Sequence, residues 1–168
     1  MELYHVSFRE YATGQTYTAP NPNGYHLRSI ERNEGWINEI LDDNRPEGRP
    51  SRVASFYACS ELENCQAFIG NKKMDEGSPI YYRVEMNCNA GFPMVLTDRM
   101  KKFGQDSILL GAFITEYWLP TKPWRYLEFL SATMTILEVL PTPDSLIANK
   151  GRMNYNADFE LAKQVFAE

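Results

Sequence analysis

An isolated glutamate in an apolar stretch is the residue whose setting most strongly suggests chemistry. Glu128 lies between Leu127 and Phe129. An ionised glutamate is rarely buried unless it is paired, because burial removes its hydration. A carboxylate about 4 Å from a developing cation, at an effective dielectric of about 20, stabilises that cation by about 4 kcal/mol. Glu128 could serve such a reaction or lie on the solvent face of a strand, and Glu85 and Glu138 are rivals in similar alternating contexts.

Aromatic residues, a histidine and an arginine accompany two other predicted strands. His5 lies in the first of these, Phe56 and Tyr57 lie near the end of the second, and Phe68 follows on the next predicted helix. Aromatic faces attract cationic rings by ~0.5 to 2 kcal/mol each, although the same residues commonly fill cores. Alternation along a strand lets only one of Phe56 and Tyr57 face a pocket, and we favour Tyr57. Arg52, just before that strand, could hold a pyrophosphate through two parallel hydrogen bonds.

Four segments, taken in order, carry a resemblance to a known family. They are residues 3–7 (LYHVS), 55–58 (SFYA), 117–118 (YW) and 126–130 (YLEFL). With these segments the chain resembles the ADP-ribosyltransferase superfamily in its histidine–tyrosine–glutamate branch. That branch includes diphtheria-type toxins, poly(ADP-ribose) polymerases and DNA-modifying toxins of bacterial toxin–antitoxin pairs. The resemblance spans roughly residues 3–140.

The resemblance implies a fold, a reaction and a set of site residues. The implied fold is α+β, with a split mixed β-sheet and flanking helices. The implied reaction cleaves NAD⁺ at its nicotinamide–ribose bond and passes on the ADP-ribose, with NAD⁺ as co-substrate and no metal. By the resemblance Glu128 is catalytic, His5 bonds the adenosine-ribose hydroxyl, and Val6 replaces a family glycine whose backbone holds the carboxamide. Tyr57 or Phe56, together with Phe68, would flank the nicotinamide.

These residue types also suit that reaction on chemical grounds. The nicotinamide ring of NAD⁺ is cationic, so aromatic faces attract it. Breaking the glycosidic bond builds positive charge on the ribose, as in the oxocarbenium-like transition states of glycosidases. A stabilisation of about 4 kcal/mol by the Glu128 carboxylate corresponds to roughly a thousandfold in rate.

The residue two positions before Glu128 bears on which kind of molecule accepts the ADP-ribose. Family members that modify protein side chains often carry Glu or Gln there, and this chain has Tyr126. An aromatic side chain can stack on a base, so Tyr126, with Trp118, is predicted to contact a nucleic-acid acceptor, RNA or DNA. The formal net charge of −5 opposes a broad phosphate-binding surface. The resemblance points to an intracellular toxin or phage-defence effector with an antitoxin or inhibitor as partner, although Trp118 could equally be a packing residue.

Composition predicts one domain over residues 1–168. The chain is 43% hydrophobic and 13% aromatic, which is enough to build a core. No apolar run approaches the ~20 residues that span a bilayer, and no secretory signal is evident, so we expect a cytoplasmic protein. The three cysteines, Cys59, Cys65 and Cys88, are odd in number, which argues against a disulfide framework, and they lack the spacing of metal ligands. We therefore expect buried free thiols.

Periodicity and breakers predict the elements that would position these residues. We expect strands at 3–8, 53–58, 80–86, 94–96, 126–130 and 133–140, and a loop at 11–24. We expect helices at 27–41, at 60–70 with a capping box of Ser60 and Glu63, at 107–118 and at 158–166. Because strands follow strands without regular helical crossovers, the order favours α+β over a doubly wound α/β fold.

Three other functions compete with NAD⁺ cleavage. An RNA 2′-phosphotransferase of the same fold would need several arginines and a second histidine around the phosphate. A non-catalytic module could bind an NAD-like ligand or a protein. A structural interaction protein would use all its aromatic residues as core.

Overall fold

Two antiparallel sheets and six helices make up the described part of the chain, so the fold is α+β. The computed structural model describes residues 1–69, 78–142 and 156–167. The strands are β1 (Glu2–Ser7), β2 (Thr16–Thr18), β3 (Phe56–Ala58), β4 (Ile80–Glu85), β5 (Phe92–Pro93), β6 (Leu127–Ser131) and β7 (Thr133–Leu140). The helices are α1 (Gly24–Glu31), α2 (Gly35–Asp43), α3 (Gln66–Ile69), α4 (Val95–Phe103), α5 (Leu110–Trp118) and α6 (Asn156–Val165).

A backbone bridge joins the two sheets. One sheet has the strand order β1-β4-β7-β2 and the other β3-β6-β5. Every strand pair in the described ranges is antiparallel, so the predicted mixed sheet is corrected to two antiparallel ones. Tyr4 of β1 and Cys59, just after β3, exchange backbone N–H···O bonds of 2.8 and 2.9 Å. This bridge brings the strand that carries His5 beside the strand that carries Tyr57.

The described core has three clusters, and alternation along β3 sends its neighbouring side chains into two of them. Leu3, Val84 and Ile136 lie opposite one another across β1, β4 and β7, and Phe56 packs in their cluster. The next residue, Tyr57, packs instead with apolar side chains of α2, α4 and α5. Successive side chains of a strand point to opposite faces, so neighbouring residues of β3 join different clusters.

The predicted helix at 27–41 is two helices. Asn33 has a φ of 58°, a left-handed backbone conformation that ends α1 and turns the chain into α2. Gly35 begins α2 so close to α1 that a Cβ there would lie 2.7 Å from Cγ1 of Ile30. The turn brings α2 back against α1, which a single straight helix would not allow.

Other predicted boundaries differ at short elements. The predicted strand at 94–96 is wrong, because Val95 and Leu96 begin α4, and the strand β5 precedes them. Burial of Arg99 and Met100 four residues later completes the helical period. The short strand β2 falls in the predicted loop. The helix expected at 60–70 is a 3₁₀ turn over Leu62–Cys65 followed by α3, and its predicted end at Gly70 lies outside the described residues.

The cysteines and the helix lengths complete the fold. All three cysteines are free; Cys59 and Cys65 are buried as expected, whereas Cys88 is half-buried. Within the described ranges, none of the helices combines the length and the apolar character that crossing a bilayer requires. Residues 1–69, 78–142 and 156–167 contain no group of three or more His, Cys, Asp or Glu side chains able to hold a metal ion.

Candidate active site

Glu128 is buried and held by two partners. It lies in β6 on the same face as Leu130, and only 3% of it is exposed. The Tyr117 hydroxyl, at the end of α5, donates a hydrogen bond of 2.5 Å to Glu128 Oε1. Arg52 Nη1 forms an ion pair with the same oxygen and a hydrogen bond with the Tyr117 hydroxyl. The carboxylate is therefore fixed through Oε1 in a site from which water is largely excluded.

Arg52 is the centre of this arrangement. Its Nε donates to Asn38 Oδ1 at 2.8 Å, and its Cζ lies 5.3 Å from the ring centre of Tyr57 and 5.1 Å from that of Tyr117. Burial lowers the pKa of Arg52, but Glu128 and the nearby tyrosines Tyr117, Tyr57 and Tyr25 together outweigh burial, and the net shift is upward. Burial, with Glu128 nearby, raises the pKa of the Tyr117 hydroxyl, which therefore keeps the proton that it donates. Arg52 and Tyr117 thus hold Glu128 as donors.

His5 is neutral and has a defined tautomer. Its Nδ1 lies 2.7 Å from the Tyr57 carbonyl oxygen, which can only accept, so Nδ1 carries the proton. Burial lowers the pKa of His5 to about 4, although the Tyr57 bond opposes this. Nε2 is then a hydrogen-bond acceptor. Among the residues that the structure describes, only Tyr57 hydrogen-bonds to the His5 ring.

Two adjoining cavities, each of about 310 Å³, lie beside these residues. We name the first the histidine cavity; its walls include His5, Val6, Ser55, Phe56 and Tyr57. We name the second the aspartate cavity; its walls include Arg32, Asn38, Arg52, Asp98 and Lys101. Both share a wall that consists of Tyr25, Arg28, Phe68 and Ile69. Together they offer a divided cleft with aromatic, cationic and carboxylate groups.

Several aromatic residues lie near Tyr57. The Tyr57 ring lies 5.8 Å from Phe68 and 4.6 Å from Tyr25. Phe56 faces the other way and lies 5.9 Å from the His5 ring. Phe56 and Tyr57 are both among the residues that line the histidine cavity, although alternation favoured only one of them.

The other predicted site residues are more dispersed. Glu128 lines neither cavity. Its ion-pair partner Arg52 lines the aspartate cavity. Arg52, predicted for a pyrophosphate, is engaged by Glu128, Tyr117 and Asn38. Trp118, predicted to contact the acceptor, is instead a core residue that is 1% exposed, and its indole N–H donates to the Leu41 carbonyl at 2.8 Å.

Tyr126 also lies away from both cavities. Its ring lies 5.4 Å from the Cζ of the neighbouring Arg125, and its backbone N–H donates to Asp158 of α6 at 2.9 Å. The predicted stacking on a base therefore has no support from the two cavities. The residue is half-buried against the cluster around Cys59 and Tyr81.

Most residues at the cavities were not predicted, among them four that could contact a ligand. Tyr25 and Arg28 are three residues apart on α1, and that spacing was the available signal that they share a face. Ser55 lines the histidine cavity, is 2% exposed, and its hydroxyl has no hydrogen-bond partner in the described part of the chain. Asp98 lies in the first turn of the helix that the sequence did not reveal.

The comparisons with known proteins gave no family for this chain. No protein-family model matches it, and no curated protein is significantly similar to it. What the site does is therefore inferred from its residues and their geometry.

Proposed function

We propose that this protein is an enzyme of the ADP-ribosyltransferase type. It would cleave NAD⁺ at the nicotinamide–ribose bond and transfer the ADP-ribose to an acceptor. One observation carries the proposal: a buried carboxylate, Glu128, is held by Tyr117 and by Arg52, and Arg52 lines a cavity that adjoins the one with a neutral histidine and aromatic residues. The meeting of two antiparallel sheets at this cleft is compatible with the split sheet that the sequence resemblance implies.

The histidine cavity suits a cationic aromatic ring joined to a sugar. Tyr57 and Phe68 are among the residues that line the cavity, and aromatic faces attract the nicotinamide cation. The acceptor Nε2 of His5 can receive a hydrogen bond from a sugar hydroxyl. The Ser55 hydroxyl can supply or receive another, which would relieve the cost of burying it without a partner. Arg28 lines both cavities and can meet the pyrophosphate at the shared wall.

Arg52 both supports and limits the action of Glu128. A carboxylate about 4 Å from a ribosyl cation supplies about 4 kcal/mol at a dielectric of about 20. If the guanidinium stays about 6 Å from that cation, its repulsion leaves about 1.4 kcal/mol of that stabilisation. We propose that the pyrophosphate of bound NAD⁺, held at Arg28 on the shared wall, draws Arg52 of the adjoining cavity away from Glu128. The carboxylate would then act fully on the transition state.

A second function fits the same ion pair. If Arg52 stays on Glu128 when a ligand binds, the carboxylate is largely neutralised, and the cleft would serve as a binding module for an NAD-like ligand. The observation that favours this alternative is that Glu128 lines neither cavity. The two functions differ in whether nicotinamide is released.

The test is release of nicotinamide from NAD⁺ by the purified protein and by Glu128→Gln. We expect the variant to release nicotinamide ~10³-fold more slowly. The control is Glu138→Gln, the same change at an exposed strand glutamate that pairs with Arg83. Circular dichroism and NAD⁺ binding are measured for each variant, and Glu128→Asp provides a second variant that keeps the charge beside Arg52.

Three outcomes separate the proposals. Release that depends on Glu128 but not on Glu138 supports the enzyme. NAD⁺ binding without any release, with RNA, DNA or cell lysate added, supports the binding module. Release that Glu128→Gln leaves unchanged removes Glu128 from the mechanism. Expression of the wild type and of Glu128→Gln in a bacterial host tests the predicted toxin role, which requires growth arrest by the wild type alone.

A further inference from the structure

We propose that the aspartate cavity is the acceptor site and that Asp98 is the general base that takes the proton of the acceptor's nucleophilic O–H or N–H. This inference rests on the proposed function. It adds the chemical class of the acceptor, and it gives a second carboxylate, Asp98, a role separate from that of Glu128.

The geometry places Asp98 where an acceptor would lie. Asp98 is half-buried in the first turn of α4 and lines the aspartate cavity. Within the described ranges its carboxylate makes no hydrogen bond, and no cation lies at ion-pair distance from it. The wall formed by Tyr25 and Arg28 separates it from the histidine cavity, where NAD⁺ would bind. An acceptor at Asp98 would therefore approach the ribose from the side opposite the histidine.

Asp98 and Glu128 are in contrasting environments. Glu128 is held by Arg52 and Tyr117, whereas Asp98 has no such donors. Burial raises the pKa of Asp98 to about 6; Lys101 and Arg99 oppose the rise, and Glu128 and Glu34 add to it. Carboxylates in contrasting environments commonly take different roles in a mechanism. A carboxylate that titrates near neutral pH suits proton transfer.

The cations of this cavity indicate an acceptor that carries phosphate. Arg28, Arg32 and Lys101 line it, and Glu34 pairs with Lys101 at 2.7 Å and with Arg32 at 3.6 Å. A phosphate that displaced Glu34 would meet the same cations. Phosphate contacts position a nucleic acid without reading its bases. We therefore assign the acceptor to the nucleotide units of RNA or DNA, although the chain as a whole is acidic.

The reaction balances without another reactant. The bond between ribose C1′ and the nicotinamide nitrogen breaks, and its electron pair leaves with neutral nicotinamide. The acceptor oxygen or nitrogen forms the new bond to C1′, and its proton passes to the Asp98 carboxylate, from which it is released to solvent.

The experiment measures transfer and cleavage together. NAD⁺ labelled in its adenylate phosphate is mixed with single-stranded RNA and DNA of mixed sequence and with added protein from a cell lysate. Nicotinamide and labelled oligonucleotide are both quantified for the wild type, Asp98→Asn, Asp98→Glu and the control Asp106→Asn, an exposed aspartate outside both cavities. We expect Asp98→Asn to lower labelled oligonucleotide per nicotinamide by ~10²-fold and Asp98→Glu to restore part of it.

The pH profile distinguishes a base from a structural residue. Wild-type transfer should rise as pH rises through about 6, because the base must be deprotonated, and this limb should be absent in Asp98→Asn. Asp98→Ser serves as a second variant if Asp98→Asn does not fold.

Four outcomes overturn the inference. A ratio of transfer to cleavage that Asp98→Asn leaves unchanged removes Asp98 as the base, as does a pH limb that persists in that variant. Label on added protein rather than on oligonucleotide overturns the acceptor class, while the proposed function stands. No nicotinamide release by the wild type overturns the proposed function and the inference with it.

Discussion

Arg52 and Glu128 form a buried ion pair between the segment before β3 and the middle of β6, 76 residues apart in the chain. Removing one partner of such a pair leaves an uncompensated buried charge and typically costs about 3–5 kcal/mol. This loss is a large fraction of the free energy of unfolding of a typical domain, which is about 5–15 kcal/mol. The pair therefore links the folding of two segments as well as the chemistry of the site.

The first prediction concerns that pair. Arg52→Met should lower the free energy of unfolding by roughly 3–5 kcal/mol, because the Glu128 carboxylate loses its counter-charge. Arg52→Met combined with Glu128→Leu should recover most of this loss. Urea denaturation of both variants provides the measurement. A double variant no more stable than Arg52→Met would show that the ion pair is not what holds these segments.

The second prediction concerns the Tyr117 hydroxyl. Tyr117→Phe removes the 2.5 Å hydrogen bond to Glu128 Oε1 but keeps the ring against Phe92. We expect the free energy of unfolding to fall by about 1–3 kcal/mol, because a hydrogen bond to a charged group is lost. Nicotinamide release should slow with little change in KM for NAD⁺. A change confined to KM would place Tyr117 in substrate binding instead.

The third prediction uses the contrast between two buried serines. Ser55 has no hydrogen-bond partner in the described part of the chain, whereas the Ser29 hydroxyl donates to the His26 carbonyl at 2.7 Å. Ser55→Ala should leave thermal stability unchanged or raise it, and Ser29→Ala should lower it by about 1 kcal/mol. Calorimetric titration with NAD⁺ should show weaker binding by Ser55→Ala. Equal binding by the wild type and Ser55→Ala would mean that this hydroxyl does not meet the ligand.

The fourth prediction follows from the pKa of His5. It is about 4 in the folded protein against 6.5 for an unperturbed histidine, so the unfolded chain binds the extra proton between these values. The contribution of His5 to stability is therefore present above pH 6.5 and is lost as pH falls to about 4, by roughly 3 kcal/mol in all.

The measurement is a comparison of unfolding free energies from pH 4 to pH 7. The difference between the wild type and His5→Gln should increase with pH and level off above about 6.5. Asp98, whose pKa is raised, contributes a slope of opposite sign between about 4 and 6, and the subtraction removes it. A difference that does not vary with pH would show that His5 is not buried as a neutral ring.

Much of the fold could be predicted because the pattern of apolar residues within a segment favours one kind of secondary structure. Alternation in β4 and β7 and the apolar face of α6 survive in the structure with ends shifted by a few residues. The failures have local causes as well: a left-handed Asn33 divides one apolar period into α1 and α2. The short apolar run at 94–96 suited a strand as well as a helix, and packing in the core decided for α4.

The sequence by itself determined which residue types are available for the site: one glutamate in an apolar strand, a histidine in the first strand and a cluster of aromatic residues. Only the tertiary structure decided that Arg52 meets Glu128, that Phe56 and Tyr57 both reach one cavity, and that Ser55 and Asp98 lack hydrogen-bond partners among the described residues. The physical reason is that partnership and burial depend on groups far apart in the chain, whereas periodicity reports only which face a residue occupies.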